Sequence, residues 1–331
     1  MRLHALLPLL FAWLGSDMNI TLQKIDAGET KPVTGLTLFH RANEVHLLLS
    51  HKTELSETSA LPHTGPMQLT PAGELGDGRA WDAKPAAGQG AGFLTLYLRA
   101  ESAVTWAMLK RPDGSQDRRL HLEPFAVYDH PHFVKGQPAG QWTATAVKYA
   151  DGASIPVVFS NLGGDADLPT SKSIGNYRAI RDARLLQNGN TYWLFLLTRV
   201  PGAIKSPTLR ELPSGAQMPA VLHMVHLNAK FEPSGQVSEV FGSLPIYEFD
   251  VDAAPNGHVV IFGTTPTGAV FATGIPQEGK LLPRDTWEET RFEQPLVSPS
   301  VLVYGRKIHL AAIANLGKDD ASVLYGTIPP Q

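Results

Sequence analysis

The sequence predicts an all-β fold: a six-bladed β-propeller, with a seven-bladed ring as the alternative. Three observations carry that reading. Six apolar, alternating hairpins recur about every fifty residues, at 36–50, 93–110, 134–148, 183–198, 249–264 and 301–314. Turn residues that tolerate positive φ stand between the paired runs, as at Asn188-Gly189 and Asn256-Gly257. The two ends of the chain also complete each other, which predicts a ring closed by its own first strand.

The first sixteen residues pair a basic start, Met1-Arg2, with an apolar run over 5–14 and then Gly15-Ser16. This pattern predicts a signal peptide, or otherwise an N-terminal apolar segment packed on the domain. The run is too short to span a bilayer as a helix. Residues 17–331 are read as a single propeller domain. Within it the stretch 18–25, Met-Asn-Ile-Thr-Leu-Gln-Lys-Ile, is extended and left over before the first hairpin. The last unit has strands over 301–304, 308–314 and 323–328 but no fourth. Adding 18–25 to that unit removes an open sheet edge.

The units between follow in order. Inner strands are expected to begin near residues 35, 93, 131, 181, 247 and 298. The first hairpin keeps only Asn43 at its turn, the fourth and fifth keep Asn-Gly, and the sixth keeps Gly305. The second run of each pair is nearly continuously apolar, as in Tyr192-Trp-Leu-Phe-Leu-Leu, the mark of a strand covered on both faces. Weaker strands are expected at 220–227 and 235–241 after the fourth hairpin, and at 269–273 and 287–292 after the fifth. Helix signals are confined to single turns at 208–212 and 283–290.

Composition narrows the function classes. Apolar residues make up 43% of the 331 and charged residues 18%, with 30 glycines and 26 prolines spread along the chain, as expected for many short strands joined by tight turns. The net charge is −3 with no basic run, which argues against a nucleic-acid partner. No cysteine is present, so disulfides, thiol catalysis and Cys-ligated zinc are excluded. The chain is expected not to span a membrane and to be a monomer.

Candidate site residues cluster where inner strands begin, because long insertions at 51–63 and 199–218 open onto that mouth. They bring His51 and Arg199. The segment Tyr128-Asp129-His130-Pro131-His132 places two histidines at i and i+2, which on a strand project the same way, with Asp129 as an orienting partner. Tyr177-Arg178-Ala-Ile-Arg181-Asp182 supplies guanidinium groups suited to a carboxylate. Glu248 and Asp250 alternate onto one face of the fifth inner strand and are candidate acids or bases. No metal site and no cofactor are expected: Asp250-Val-Asp252 before Asn256-Gly257 lacks EF-hand spacing, and the Asn-Gly recurs as a turn.

A chain of six such hairpins behind a signal-like start resembles the sialidase-like and glycosidase-like propeller superfamilies of exported bacterial proteins. The sialidase Asp-box, Ser-x-Asp-x-Gly-x-x-Trp, does not occur, and the closest match to an Arg-Ile-Pro is Arg199-Val-Pro201 in mid-chain. The catalytic set of that family is therefore not carried over. The resemblance implies a periplasmic or secreted, carbohydrate-active protein, either a glycoside hydrolase or a polysaccharide lyase. His130 or His132 with Glu248 or Asp250 would move protons. His51, Asp129, Tyr177, Arg178, Arg181 and Arg199 would contact substrate. The alternative is a non-catalytic propeller binding a glycan or protein on the same face.

Overall fold

The computed structural model describes residues 20–25, 33–41, 43–51, 54–62, 68–74, 78–85, 93–99, 104–110, 116–119, 128–137, 141, 143–148, 155–161, 170–177, 180–199, 220–235, 237–277, 280–282, 287–292, 295–316 and 321–329. They form an all-β propeller of antiparallel sheets. Strand β1 (Gln23–Ile25) stands apart from the strands that follow it. The first sheet is β2 (Val33–Arg41), β3 (Glu44–His51), β4 (Glu54–Thr58) and β5 (Leu69–Glu74). The second is β6 (Gly78–Pro85), β7 (Phe93–Arg99), β8 (Val104–Lys110) and β9 (Gln116–Arg119). The third is β10 (Tyr128–Phe133), β11 (Thr143–Lys148), β12 (Ile155–Asn161) and β13 (Thr170–Tyr177). The fourth is β14 (Ile180–Asn188), β15 (Thr191–Arg199), β16 (Ala220–Leu227) and β17 (Ser238–Glu239). The fifth holds β18 (Glu248–Ala253), β19 (Val259–Thr265) and β20 (Gly268–Gln277). Here β20 pairs with both β21 (Lys280–Leu282) and β22 (Trp287–Arg291). The sixth is β23 (Leu296–Tyr304), β24 (Lys307–Ala314) and β25 (Ser322–Ile328), with β1 laid antiparallel on β25.

The expected count of uniform four-stranded blades is corrected. Five sheets are regular four-stranded blades, whereas the sheet from Glu248 to Arg291 has five strands because the long β20 carries two partners. A seventh blade has no sheet to supply it among the described residues. The phase of the repeat is also corrected. The inner strand of the second sheet is β6, so the run 93–110 supplies the second and third strands rather than the first and second. In the third sheet β10 ends at Phe133, and Val134 lies just beyond the strand instead of opening the hairpin. The presumed insertion at 51–63 contains β4, and 200–219 lies outside the described residues, as do 1–19.

Tight turns and apolar strands explain each blade. Gly189 sits at φ 59° between β14 and β15, a conformation that costs a residue with a Cβ dearly. Beyond it Trp193, Leu194, Phe195, Leu196 and Leu197 are all buried, because β15 is covered on both faces. The core lies between sheets rather than within one. Phe195, Leu222 and Met224 of the fourth sheet pack with Phe249, Ile261 and Val270 of the fifth. Phe262 and Phe271 meet Leu310 and Ala312 of the sixth, which also takes Ile20. Leu47 and Leu49 of the first sheet close against Ile313 and Tyr325. Each fully buried side chain of this size stabilises by about 1.5–3 kcal/mol. The innermost strands β2, β6, β10, β14, β18 and β23 stand side by side in cyclic order, and β23 returns to β2.

Candidate functional site

Polar side chains at mid-height join every neighbouring pair of inner strands. Thr37 Oγ1 on β2 lies 3.5 Å from Asp82 Oδ1 on β6, and Asp82 Oδ2 accepts the Phe133 N–H of β10 at 2.9 Å. His132 Nε2 lies 3.4 Å from Asp182 Oδ1 on β14. Arg184 Nη1 donates to Asp250 Oδ1 on β18 at 2.5 Å. Asp250 Oδ2 accepts the Val301 N–H of β23 at 2.9 Å, and Ser300 Oγ accepts the Leu38 N–H of β2 at 2.9 Å. All these side chains are buried. They form a belt around the bore in which carboxylates take backbone N–H groups that no ladder satisfies.

The belt absorbs three of the sequence-predicted catalytic residues. His132 is 1% exposed. Burial, followed by the Arg184 charge, holds its pKa below the usual histidine range, against the pull of Asp182 and Asp82. Asp250 spends its oxygens on Arg184, Ser300 and the Val251 and Val301 N–H groups. Glu248 is half-buried and accepts from the Ser298 N–H. These two and Asp252, which accepts the Val303 N–H at 2.7 Å, alternate along one side of β18 and fasten it to β23. The β10 register slips between Asp129 and His132, so the simple alternation behind the paired histidines is interrupted.

The described residues among the candidate substrate contacts lie toward the strand-start mouth. His51 ends β3, 3% exposed, with no hydrogen-bond partner on either ring nitrogen among the described residues. Tyr177 ends β13, and its half-buried phenol is pushed up by burial. Arg181 is half-buried on β14, and its charge acts on the Tyr247 phenol. Arg178 lies outside the described residues, as do the side chains of Asp129, His130 and Arg199. Among the candidates, His132 and Asp250 are joined by a continuous chain of contacts, through Asp182 and Arg184.

A cavity of about 430 Å³ opens at the other mouth, where the inner strands end. Its polar wall includes His40, Lys135, Gln137, Gln187 and Asp252. The backbone just after β10 builds one side. Lys135 N–H donates to the Leu185 carbonyl at 3.0 Å and Gln187 N–H donates back to Lys135 at 2.9 Å. This is a parallel bridge between the third and fourth sheets. Gly136, at φ 73°, follows it, and a Cβ there would collide with the Gln187 carbonyl oxygen.

Electrostatics fix the charges in this cavity. Lys135 Nζ is 3.2 Å from Asp82 Oδ1. Burial opposes its charge, but Asp82, Asp250 and Asp252 outweigh burial and push the ammonium above the ordinary lysine range. Burial would raise Asp82, yet Lys135, His132, Arg184 and the Phe133 N–H together pull it below the ordinary carboxylate range. Asp252 is pushed up to about 6 by burial, against Lys135 and the Val303 and Ala253 N–H groups. His40 is lowered by burial and stacks on Tyr304 at 4.5 Å between ring centroids. The Gln137 and Gln187 side chains are linked at 2.9 Å, with Thr143 donating to Gln137 and Gln187 donating to the Gly189 carbonyl. A lysine held protonated is no nucleophile, so Lys135 can act here as a fixed cation and donor. Among the described residues no three His, Asp or Glu side chains converge as metal ligands, and no helix is long and apolar enough to cross a membrane.

No family model matches the sequence, and no curated protein matches it. Solved structures do. A Trypanosoma rangeli sialidase mutant displaying trans-sialidase activity aligns at TM-score 0.56 and 8% identity, over 92% of this chain and 58% of that one. The phage phi92 endosialidase aligns at TM-score 0.58 and 8% identity, over 94% of this chain and 69% of that one. The PQQ-bound aldose sugar dehydrogenase of Streptomyces coelicolor aligns at TM-score 0.54 and 13% identity, over 92% and 96%. The chain thus spans little more than half the length of the sialidase. At these identities the likeness shows a shared sialidase-like, glycosidase-like propeller fold, and a fold of this kind hosts many functions.

Proposed function

We propose that this propeller is carbohydrate-active and takes a saccharide in the strand-end cavity. One observation carries the reading: a cavity of about 430 Å³ in which an ammonium, a carboxyl, two carboxamides and an imidazole face one space. Hydroxyl-rich ligands need that mixture of donors and acceptors, and the volume lies at the small end of the ~300–1,000 Å³ range of small-molecule pockets. The fold supports the reading, since the similar structures named above include a sialidase, an endosialidase and a sugar dehydrogenase. The test is a panel of neutral and acidic glycans assayed by calorimetry for binding, and by reducing-sugar release and lyase absorbance for turnover. Binding that is lost in Gln187→Ala and Gln137→Ala is the expected result. Failure of every glycan to bind overturns it.

A hydrolase or lyase site at the strand-start mouth is the second reading. His51 favours it, being a buried imidazole at that mouth without a hydrogen-bond partner among the described residues, and buried polar groups rarely stay unsatisfied without a role. Turnover in the same panel that survives Gln187→Ala but not His51→Ala would select this reading. Export to the periplasm or medium is proposed from the signal-like start at 1–16, and a mature N-terminus near residue 17 by mass spectrometry would test it.

A further inference from the structure

We infer that the strand-end cavity selects uncharged saccharides and rejects acidic ones such as uronates and sialic acids. This rests on the saccharide reading above and deepens it. The argument is a count of charges facing the space. Lys135 supplies the cation, and its ammonium is already paired with Asp82 at 3.2 Å, with Asp250 and Asp252 acting on it as well. Its charge is therefore answered before any ligand arrives. No arginine lines the cavity among the described residues, so the bidentate fork that recognises carboxylates elsewhere is missing from this wall. His40 is held neutral by burial.

The remaining titratable group on the wall is Asp252, a carboxyl whose oxygens accept the Val303 and Ala253 N–H groups. Ionised, it makes the cavity net negative, and protonated it leaves the cavity neutral. Neither state draws in an anion, and the ionised one repels it. What the wall offers instead is neutral hydrogen bonding. Gln137 donates to Gln187 within a chain that runs from the Thr143 hydroxyl through both carboxamides to the Gly189 carbonyl. Each carboxamide keeps an N–H and a lone pair unspent in that chain. Such a fixed pair suits the vicinal hydroxyls of a sugar ring, which donate and accept side by side.

The test compares maltose, cellobiose and lactose with glucuronate and N-acetylneuraminate, by calorimetry on the full chain above neutral pH. At least one neutral sugar should bind about tenfold or more tightly than either acid. Asp252→Asn should narrow that gap by improving the acids, while Gln137→Ala should weaken neutral sugars and acids alike and leave the gap unchanged. Acids that bind as well as or better than neutral sugars overturn the inference and leave the saccharide reading standing. Neutral binding that ignores both substitutions places the ligand elsewhere and overturns it too. If no saccharide binds, the saccharide reading fails and takes this inference with it. Circular dichroism of each variant separates lost binding from lost fold.

Discussion

Arg184 on β14 donates to Asp250 on β18 at 2.5 Å while its other terminal nitrogen lies 3.7 Å from Asp182. One guanidinium therefore serves two carboxylates from neighbouring sheets, and the Phe249 ring lies 5.1 Å from it. Removing one partner of such a buried group is worse than never having built it, because the charge left behind is unsolvated. Arg184→Met is expected to lower stability by about 3–5 kcal/mol, read as a shift of the urea midpoint. Arg184→Lys should recover only part, since an ammonium cannot present the planar fork to both acids.

Asp252 gives the fold a pH dependence of definite sign. Its folded pKa of about 6 lies above the ~3.9 of an unfolded aspartate. The stability tied to its protonation is fully present below ~3.9 and is lost as pH rises through 6. In Asp252→Asn that decline should flatten, measured as melting temperature against pH across this window.

His132 works in the opposite direction. Its folded pKa lies below the ~6.5 of an unfolded histidine, so its contribution is present above 6.5 and is lost as pH falls through the folded value. His132→Gln should soften acid destabilisation below pH ~6.5. His40, His223 and His309, lowered by burial in the same way, keep part of it.

The architecture was largely legible in the sequence, because the second strand of each blade is apolar and in four blades an Asn or Gly turn joins it to the inner strand. The inner strands of the second and third blades were not. Gly78–Pro85 and Tyr128–Phe133 must present Asp82 and His132 to the belt, so hydrophobic alternation is weakest where the ring closes. In the second sheet the apolar run 93–110 therefore begins one strand after the inner strand. For the site, loop length pointed to the strand-start mouth, whereas the cavity wall is built of residues beside short turns, such as Lys135 and Gln187. Their partners lie in other sheets, about fifty residues away in the chain. Glu248 and Asp250 were correctly placed on one face, but sequence cannot show that the face is spent on backbone N–H groups.

Gly136→Ala tests the cavity wall. The added Cβ meets the Gln187 carbonyl at a positive φ, so the parallel bridge must shift. A loss of about 1–3 kcal/mol is expected, together with weaker sugar binding, and calorimetry on the folded variant reads the second effect.

Deleting residues 1–25 should expose the edge of β25 and unseat Ile20, which is buried against the fifth and sixth sheets. Burial of Ile20 alone is worth about 1.5–3 kcal/mol. A lower urea midpoint and concentration-dependent association through the bare edge are the expected outcomes, checked by light scattering.

The pairing of Gln23 with Tyr325 also sets a timetable. The strand made first waits for a partner roughly 300 residues downstream, and the Leu36 to Ser298 bond spans 262 residues. No nascent fragment on the ribosome can shut the circle. Until β25 has emerged, the last blade keeps an open edge on the side where β1 will lie.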